Sequence, residues 1–367
     1  MLSYVNNKFC SLDNAKISVN DRGYQFGDAV YEVILYKDGK FLDMEGHLKR
    51  LRKSMSRIDF ELNISDSAIK TIIKRLVTEN NLKYGSIYIQ VSRGEYFRDH
   101  SYFNMPLKPI LVILTKKIKE KFKIVVPGIK VFTTLDTRWS NPDIKTTQLL
   151  PNVLAKTEGM KNGFGEALFL DDNSYITEGS SSNFWILDKN NILNTRSLDG
   201  KILAGITRDS ILNCAKNKKI KVLEKKISLD DIKTCKEAFI TSASSFVTPV
   251  VQVDEMIINS GLVGEFSNLL RKTYLELNDW FISKLNNISN LKEKVLIVIP
   301  IINNYKIFKD SFYYRDNIDS RKSETISLVN AMKVNVLEVL NIKINNFSSA
   351  NLFNKNKLVY ISEVIQK

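Results

Sequence analysis

Thr177-Glu178-Gly179-Ser180-Ser181-Ser182-Asn183, running straight into Phe184-Trp185-Ile186-Leu187, is the stretch on which the reading of this chain turns. The apolar tetrapeptide reads as a buried strand. A serine-rich loop capping that strand explains the three serines. It does not explain a glutamate set beside buried apolar sequence, where a lone carboxylate is costly without a partner. Around this string, further strands are expected at 124–126, 130–134, 166–170, 182–187, 220–224, 237–241 and 248–253. Helices are expected near 147–161, 207–217 and 264–277. Pro151 sits where a first helical turn tolerates it, so the regular helix can begin there. Many short strands mixed with helices point to an α+β or α/β domain rather than a bundle.

Upstream lies a second compact set of elements. Val30–Tyr36 is strand-like, Asp38-Gly39 signals a hairpin turn, and Lys40–Met44 returns. Leu48, Leu51, Met55 and Ile58 recur at helical spacing, as do Ile69, Ile72, Ile73, Leu76 and Val77. Ile87, Ile89 and Val91 alternate with polar residues, the mark of a half-buried strand, whereas Ile110–Leu114 is apolar throughout and suggests a covered one. The basic stretch 116–123 is the best first boundary, and a third part begins near Asp279. The expected domains are therefore 1–120, 121–279 and an extension over 280–367. The extension holds strand-like 295–302, helix-like 322–340 and a last strand, Leu358–Ile361, without a chemical motif.

Composition narrows the function classes. The 367 residues carry a net charge of +14, but the lysines are scattered and no nucleic-acid-binding pattern accompanies them. No segment approaches the roughly 20 apolar residues of a spanning helix, and the N-terminus lacks a signal-peptide layout, so a cytoplasmic protein is expected. Cys10, Cys214 and Cys235 suggest buried free thiols, and the two histidines nearly exclude a metal site built on histidine.

Four further strings matter. They are Asn20-Asp21-Arg22-Gly23-Tyr24-Gln25-Phe26-Gly27-Asp28 with Ala29-Val30-Tyr31-Glu32, His47-Leu48-Lys49-Arg50-Leu51, Asp143-Ile144-Lys145, and Gly205-Ile206-Thr207-Arg208-Asp209. Each alone has an ordinary explanation; Arg50, for instance, could be a surface partner of Glu45 or Asp43. In this order, and with Glu178, they resemble the class IV (fold type IV) enzymes that use pyridoxal 5'-phosphate (PLP). That family includes D-amino-acid transaminases, branched-chain aminotransferases and aminodeoxychorismate lyase. The resemblance runs from about Tyr4 to Leu277 and implies a two-domain fold, with the extension added, and a homodimer.

The resemblance casts Lys145 as the Schiff-base lysine and proton shuttle, a task that requires a neutral amine. Glu178 would face the pyridine nitrogen, and Arg50 would hold the phosphate, for which a forked guanidinium is suited. Ile206 and Thr207 would add helix N-terminal N–H groups, and Ser242 with Ala243 would complete the cradle. Many relatives have threonine where Ala243 stands, so one hydroxyl bond would be missing. Tyr31, Arg98 and His100 match the R-x-H arrangement by which D-amino-acid transaminases bind the substrate α-carboxylate. The substrates implied are a D-amino acid of the D-alanine type and a 2-oxo acid such as 2-oxoglutarate. Branched-chain L-aminotransferase and aminodeoxychorismate lyase stand as alternatives within the family, and a partner-binding protein on the same fold as one outside it.

Overall fold

The computed structural model describes residues 1–118 and 126–276 and, beyond them, the backbone of two strands, Lys294–Ile302 and Asn335–Ile344. By its contacts the chain divides into Met1–Asn278 and Asp279–Lys367. The first unit contains two sheets.

The first sheet is formed by β1 (Leu2–Val5), β2 (Lys8–Ser11), β3 (Ala29–Lys37), β4 (Lys40–Phe41), β5 (Tyr84–Ser92) and β6 (Ile110–Lys117), in the order β2-β1-β6-β5-β3-β4. Every pairing is antiparallel. Asp38 and Gly39 both take positive φ, 43° and 90°, so the expected hairpin turn forms where a right-twisted pair needs it. The returning strand is only two residues long, because the chain turns into a helix at Met44. Ile87, Ile89 and Val91 are fully buried, each worth roughly 1.5–3 kcal/mol in burial. They pack beneath α2 (Met44–Arg57) and α3 (Asp66–Glu79), whose Leu48, Leu51, Met55, Ile69, Ile73 and Leu76 supply the facing apolar stripe. Strand β6 is not covered on both faces as its composition suggested: Val112 and Leu114 are only half-buried.

The second sheet has ten strands. These are β7 (Ile129–Leu135), β8 (Glu166–Leu170), β9 (Tyr175–Gly179), β10 (Asn183–Leu187), β11 (Leu193–Thr195), β12 (Val222–Glu224), β13 (Ile227–Ser228), β14 (Glu237–Ser242), β15 (Phe246–Val253) and β16 (Met256–Ile257). The order is β12-β11-β10-β14-β15-β7-β8-β9-β13, with β16 on β15. The pairs β11/β12, β15/β7 and β7/β8 are parallel and the rest antiparallel, the mixture of an α/β two-sheet fold. All five residues of β10 are buried, which is why that stretch reads as continuously apolar. Helix α4 (Leu150–Lys161) starts with Pro151 in its first turn, and α5 (Ile206–Asn217) follows Gly205. A short α6 (Leu229–Thr234) opens on a capping box between Ser228 and Asp231. A further helix covers 265–276.

In the second unit β17 (Lys294–Ile302) and β18 (Asn335–Ile344) run parallel. The first matches the expected strand. The second corrects part of the expected helix over 322–340: residues 335–340 are extended, because they form the start of a strand that pairs along its whole length with β17. Residues 322–334 and the expected strand Leu358–Ile361 lie outside the described residues. The expected strand at 124–126 falls mostly outside them too, and Val126 is not in a strand. No described helix is long and apolar enough to cross a membrane.

Candidate active site

Lys145 lies where the two sheets meet. Its carbonyl accepts from the Tyr31 N–H at 3.0 Å, its own N–H reaches the Ser54 hydroxyl at 3.3 Å, and Thr147 N–H bonds Ala29 O at 3.0 Å. The lysine segment is thus laced to β3 and α2 through main chain, leaving the side chain free to point inward. Its ammonium sits 4.2 Å from the centre of the Tyr31 ring.

One cavity collects Lys145, Tyr31, Arg50 and Glu178. Ile206, Thr207, Ser242 and Ala243 line it as well. Arg98 and His100 are exposed and lie outside its lining. They are neighbours nonetheless: the Arg98 guanidinium is 4.9 Å from the Phe26 ring centre and the His100 ring 5.5 Å. Arg22 fixes the main chain between them, donating to Asp99 O at 2.7 Å and His100 O at 3.0 Å. Arg22 is itself anchored on Asp28 at 2.9 Å, and Asp21 caps the short helix α1 (Arg22–Phe26) through the N–H groups of Gly23 and Tyr24. The Asn20–Asp28 string therefore shapes the loop that carries Arg98 and His100.

At one end of the cavity Arg50 is not a partner of Glu45 or Asp43. It forks onto Glu32, with Nε and Nη2 at 2.7 and 2.8 Å, and gives Nη1 to Ala204 O at 2.7 Å. His47 Nδ1 lies 2.7 Å from the same carboxylate. Burial alone would raise the Glu32 carboxyl. The Arg50 charge, the Arg50 and His47 hydrogen bonds and the Lys145 charge reverse that and hold it down at about 2. Ala204 immediately precedes Gly205, the N-cap of α5, so Arg50 is tethered beside free helix N–H groups. Glycine is required there: a Cβ on Gly205 would collide with the Asn183 amide oxygen.

At the other end Glu178 is surrounded by donors. Arg138 reaches it at 2.5 Å, Asn183 Nδ2 at 3.0 Å, and Leu203 N–H spans both oxygens at 3.1 Å. Complete burial pushes its carboxyl up, opposed by the charge and hydrogen bond of Arg138 and by the Leu203 N–H. Asp136 grips Arg138 from behind at 2.7 and 2.9 Å. Burial disfavours the Arg138 cation, but Asp136 and Glu178 more than offset it, so the guanidinium stays charged. The hydroxyls of Ser180, Ser181 and Ser182 all turn to a second buried carboxylate, Glu166, which Lys156 also meets at 3.3 Å. Lys156 is thus tied, from its half-buried place on α4, to a buried carboxylate.

Sequence reasoning passed over Arg138 and Glu166, and named Glu32 within the opening string without giving it a role. Arg138 has a local signal, the Asp-x-Arg spacing at the end of β7. Glu32 and Glu166 find their partners through the fold.

Residues 29–253 match the family model of amino-transferase class IV. The chain belongs to the class IV aminotransferase family. A D-alanine aminotransferase of Staphylococcus epidermidis is 35% identical to this aminotransferase over 271 residues, 74% of this chain and 95% of that protein. One of Listeria monocytogenes is 35% identical over 274 residues, 74% of this chain and 94% of its own length. Among solved structures, the branched-chain amino acid aminotransferase of Escherichia coli shares the fold, with a TM-score of 0.68 at 22% identity over 74% of this chain and 92% of that one. The branched-chain amino acid aminotransferase of Thermobaculum terrenum, solved in its PLP form, gives a TM-score of 0.67 at 22% identity, covering 78% of this chain and 96% of that one.

The family uses PLP, and the residues present suit it. A cationic end with helix N–H groups fits a phosphate, a buried carboxylate fits a pyridinium nitrogen, and a lysine lies in the same cavity. When bound, PLP holds the amino group in transit and takes up the electrons released as the substrate Cα–H bond breaks.

Proposed function

We propose that this aminotransferase moves the amino group of a D-amino acid of the D-alanine type to a 2-oxo acid such as 2-oxoglutarate. The observation that carries this reading is the cavity itself, with Lys145 sharing it with the Glu32-braced Arg50 and the Arg138-gripped Glu178. Lys145 would move the proton at the substrate Cα. Glu178, held among donors, would meet the ring nitrogen, while Arg50, the first turn of α5, Ser242 and Ala243 would hold the phosphate. The D series is supported by Tyr31 beside Lys145, by the Arg98-x-His100 pair, and by the resemblance to proteins named D-alanine aminotransferase. With the Cα–H aimed at Lys145, the side on which the carboxylate is held decides the enantiomer.

Arg98 and His100 stand outside the cavity lining of their own chain. We assign them to the cavity of a second copy, making the working form a homodimer. Absorbance of the PLP-loaded protein tests the substrate reading. Bleaching of the cofactor band by D-alanine and its recovery with 2-oxoglutarate is the expected result; bleaching by L-leucine alone would replace it with a branched-chain specificity. Mixing the inactive variants Lys145→Ala and Arg98→Ala tests the dimer. Recovery of activity in the mixture is expected, and its absence from a mixed population shown to exchange subunits would place Arg98 in its own chain's cavity.

A further inference from the structure

We infer that the helix over 265–276 braces the phosphate end of the site, with Tyr274 and Arg271 as positioning residues acting on separate arms of the cradle. Neither residue lines the cavity. Both are almost fully buried.

Tyr274 joins the two helices that bear the cationic end. Its hydroxyl donates to Asp43 Oδ2 at 3.0 Å and accepts from the Thr207 hydroxyl. Asp43 is the N-cap of α2, the helix of Arg50, yet it makes no side-chain capping bond. It has a φ of 51°, and its carboxylate meets α5 instead, accepting from the Ser210 hydroxyl at 3.3 Å. One buried phenol and one carboxylate therefore lock the start of α2 to the first turns of α5. Arg271 works on the other arm. Its Nη1 donates to Ser245 O at 2.8 Å and Val247 O at 2.6 Å, where the Ser242–Ser245 loop enters β15. The helix is itself pinned to β14, because the Glu237 carboxylate accepts from the N–H groups of Phe266 and Ser267 at 2.9 and 2.8 Å.

The physical need for such a brace is plain. The phosphate donors come from three elements distant in sequence, and hydrogen bonds weaken steeply when distance or angle drifts. Arg50 lies on α2, Ile206 and Thr207 on α5, and Ser242 and Ala243 at the end of β14. A single helix touching all three sets their spacing before the cofactor arrives.

The inference rests on PLP as the cofactor, and the test compares PLP with pyridoxal, which lacks the phosphate. Affinities of both for the apo protein are measured by titration, in the parent, Tyr274→Phe and Arg271→Met, alongside melting temperatures. In Tyr274→Phe the PLP affinity should fall about tenfold while the pyridoxal affinity holds, so that their ratio drops. Arg271→Met should lower the ratio in the same direction. Should the core substitutions prevent folding, Ser210→Ala removes a half-buried donor to Asp43 and should lower the ratio about two- to threefold. A ratio equal to the parent's in the folded variants overturns the inference, whatever happens to the melting temperature. Equal losses for PLP and pyridoxal also overturn it, since they would mark general loosening. A parent that binds PLP no better than pyridoxal would defeat the phosphate assignment and the brace together.

Discussion

Replacing Glu32 by glutamine keeps the shape of the side chain and removes one buried charge. Glu32 is fully buried, accepts two bonds from Arg50 and lies 2.7 Å from His47. Its carboxyl sits near 2 against an ordinary 4.5, a difference worth about 3 kcal/mol at neutral pH. An independent route gives the same size: stripping one partner from a buried ion pair costs about 3–5 kcal/mol, because the other charge is left uncompensated. The sign follows from the depressed value. The stability is present in full above the ordinary value of 4.5 and is lost as pH falls toward about 2. Urea unfolding of the apo protein should show Glu32→Gln about 3 kcal/mol less stable than the parent at pH 7, and only about 1 kcal/mol less at pH 3. A gap of the same size at both pH values, or one under about 1 kcal/mol at pH 7, would refute the account of Glu32 as an ionised anchor for Arg50.

Lys145→Ala should reduce transamination by at least about 10²–10⁴-fold, measured as 2-oxo acid release, with folding unaffected by circular dichroism. Arg138→Leu leaves the buried Glu178 and the half-buried Asp136 without their shared cation and should cost about 3–5 kcal/mol in apo unfolding. That defect should shrink as pH falls, because the Glu178 carboxyl, already pushed up by burial, then takes a proton. Ala243→Thr adds a hydroxyl in the cavity lining and should tighten PLP binding about fivefold in a titration of the apo protein.

Legibility in the sequence followed the reach of each interaction. Alternation at Ile87, Ile89 and Val91 and the helical spacing at Leu48, Leu51 and Met55 are local, and the elements appear where that spacing puts them. Strand β9, Tyr-Ile-Thr-Glu-Gly, has no such pattern, because two of its buried residues are polar and are satisfied by Arg138, Asn183 and Phe169 O. Strands β1 and β2 are short and pair locally, but β1 finds its place in the sheet through β6, more than a hundred residues away. The same distance rule governed the site. Arg50 could be read as a phosphate ligand through resemblance, yet its pairing with Glu32 depends on α2 crossing β3, which spacing cannot show. Arg138 reaches Glu178 across 40 residues. Cavity membership separated Arg98 and His100 from the other assigned residues, and only the folded loop could reveal that.

Arg22 holds the 98–100 loop by its peptide carbonyls, not by its side chains. The loop's main-chain path is therefore fixed by Arg22, and the side chains at 98 and 100 add only their contacts with the Phe26 ring. Substitutions there can exchange charge, size or hydrogen-bonding character without rebuilding the scaffold. On the proposed role of Arg98 and His100, this decoupling makes the loop an evolvable module: new substrate preferences can be sampled at two positions while the strongly interlocked cavity stays as it is.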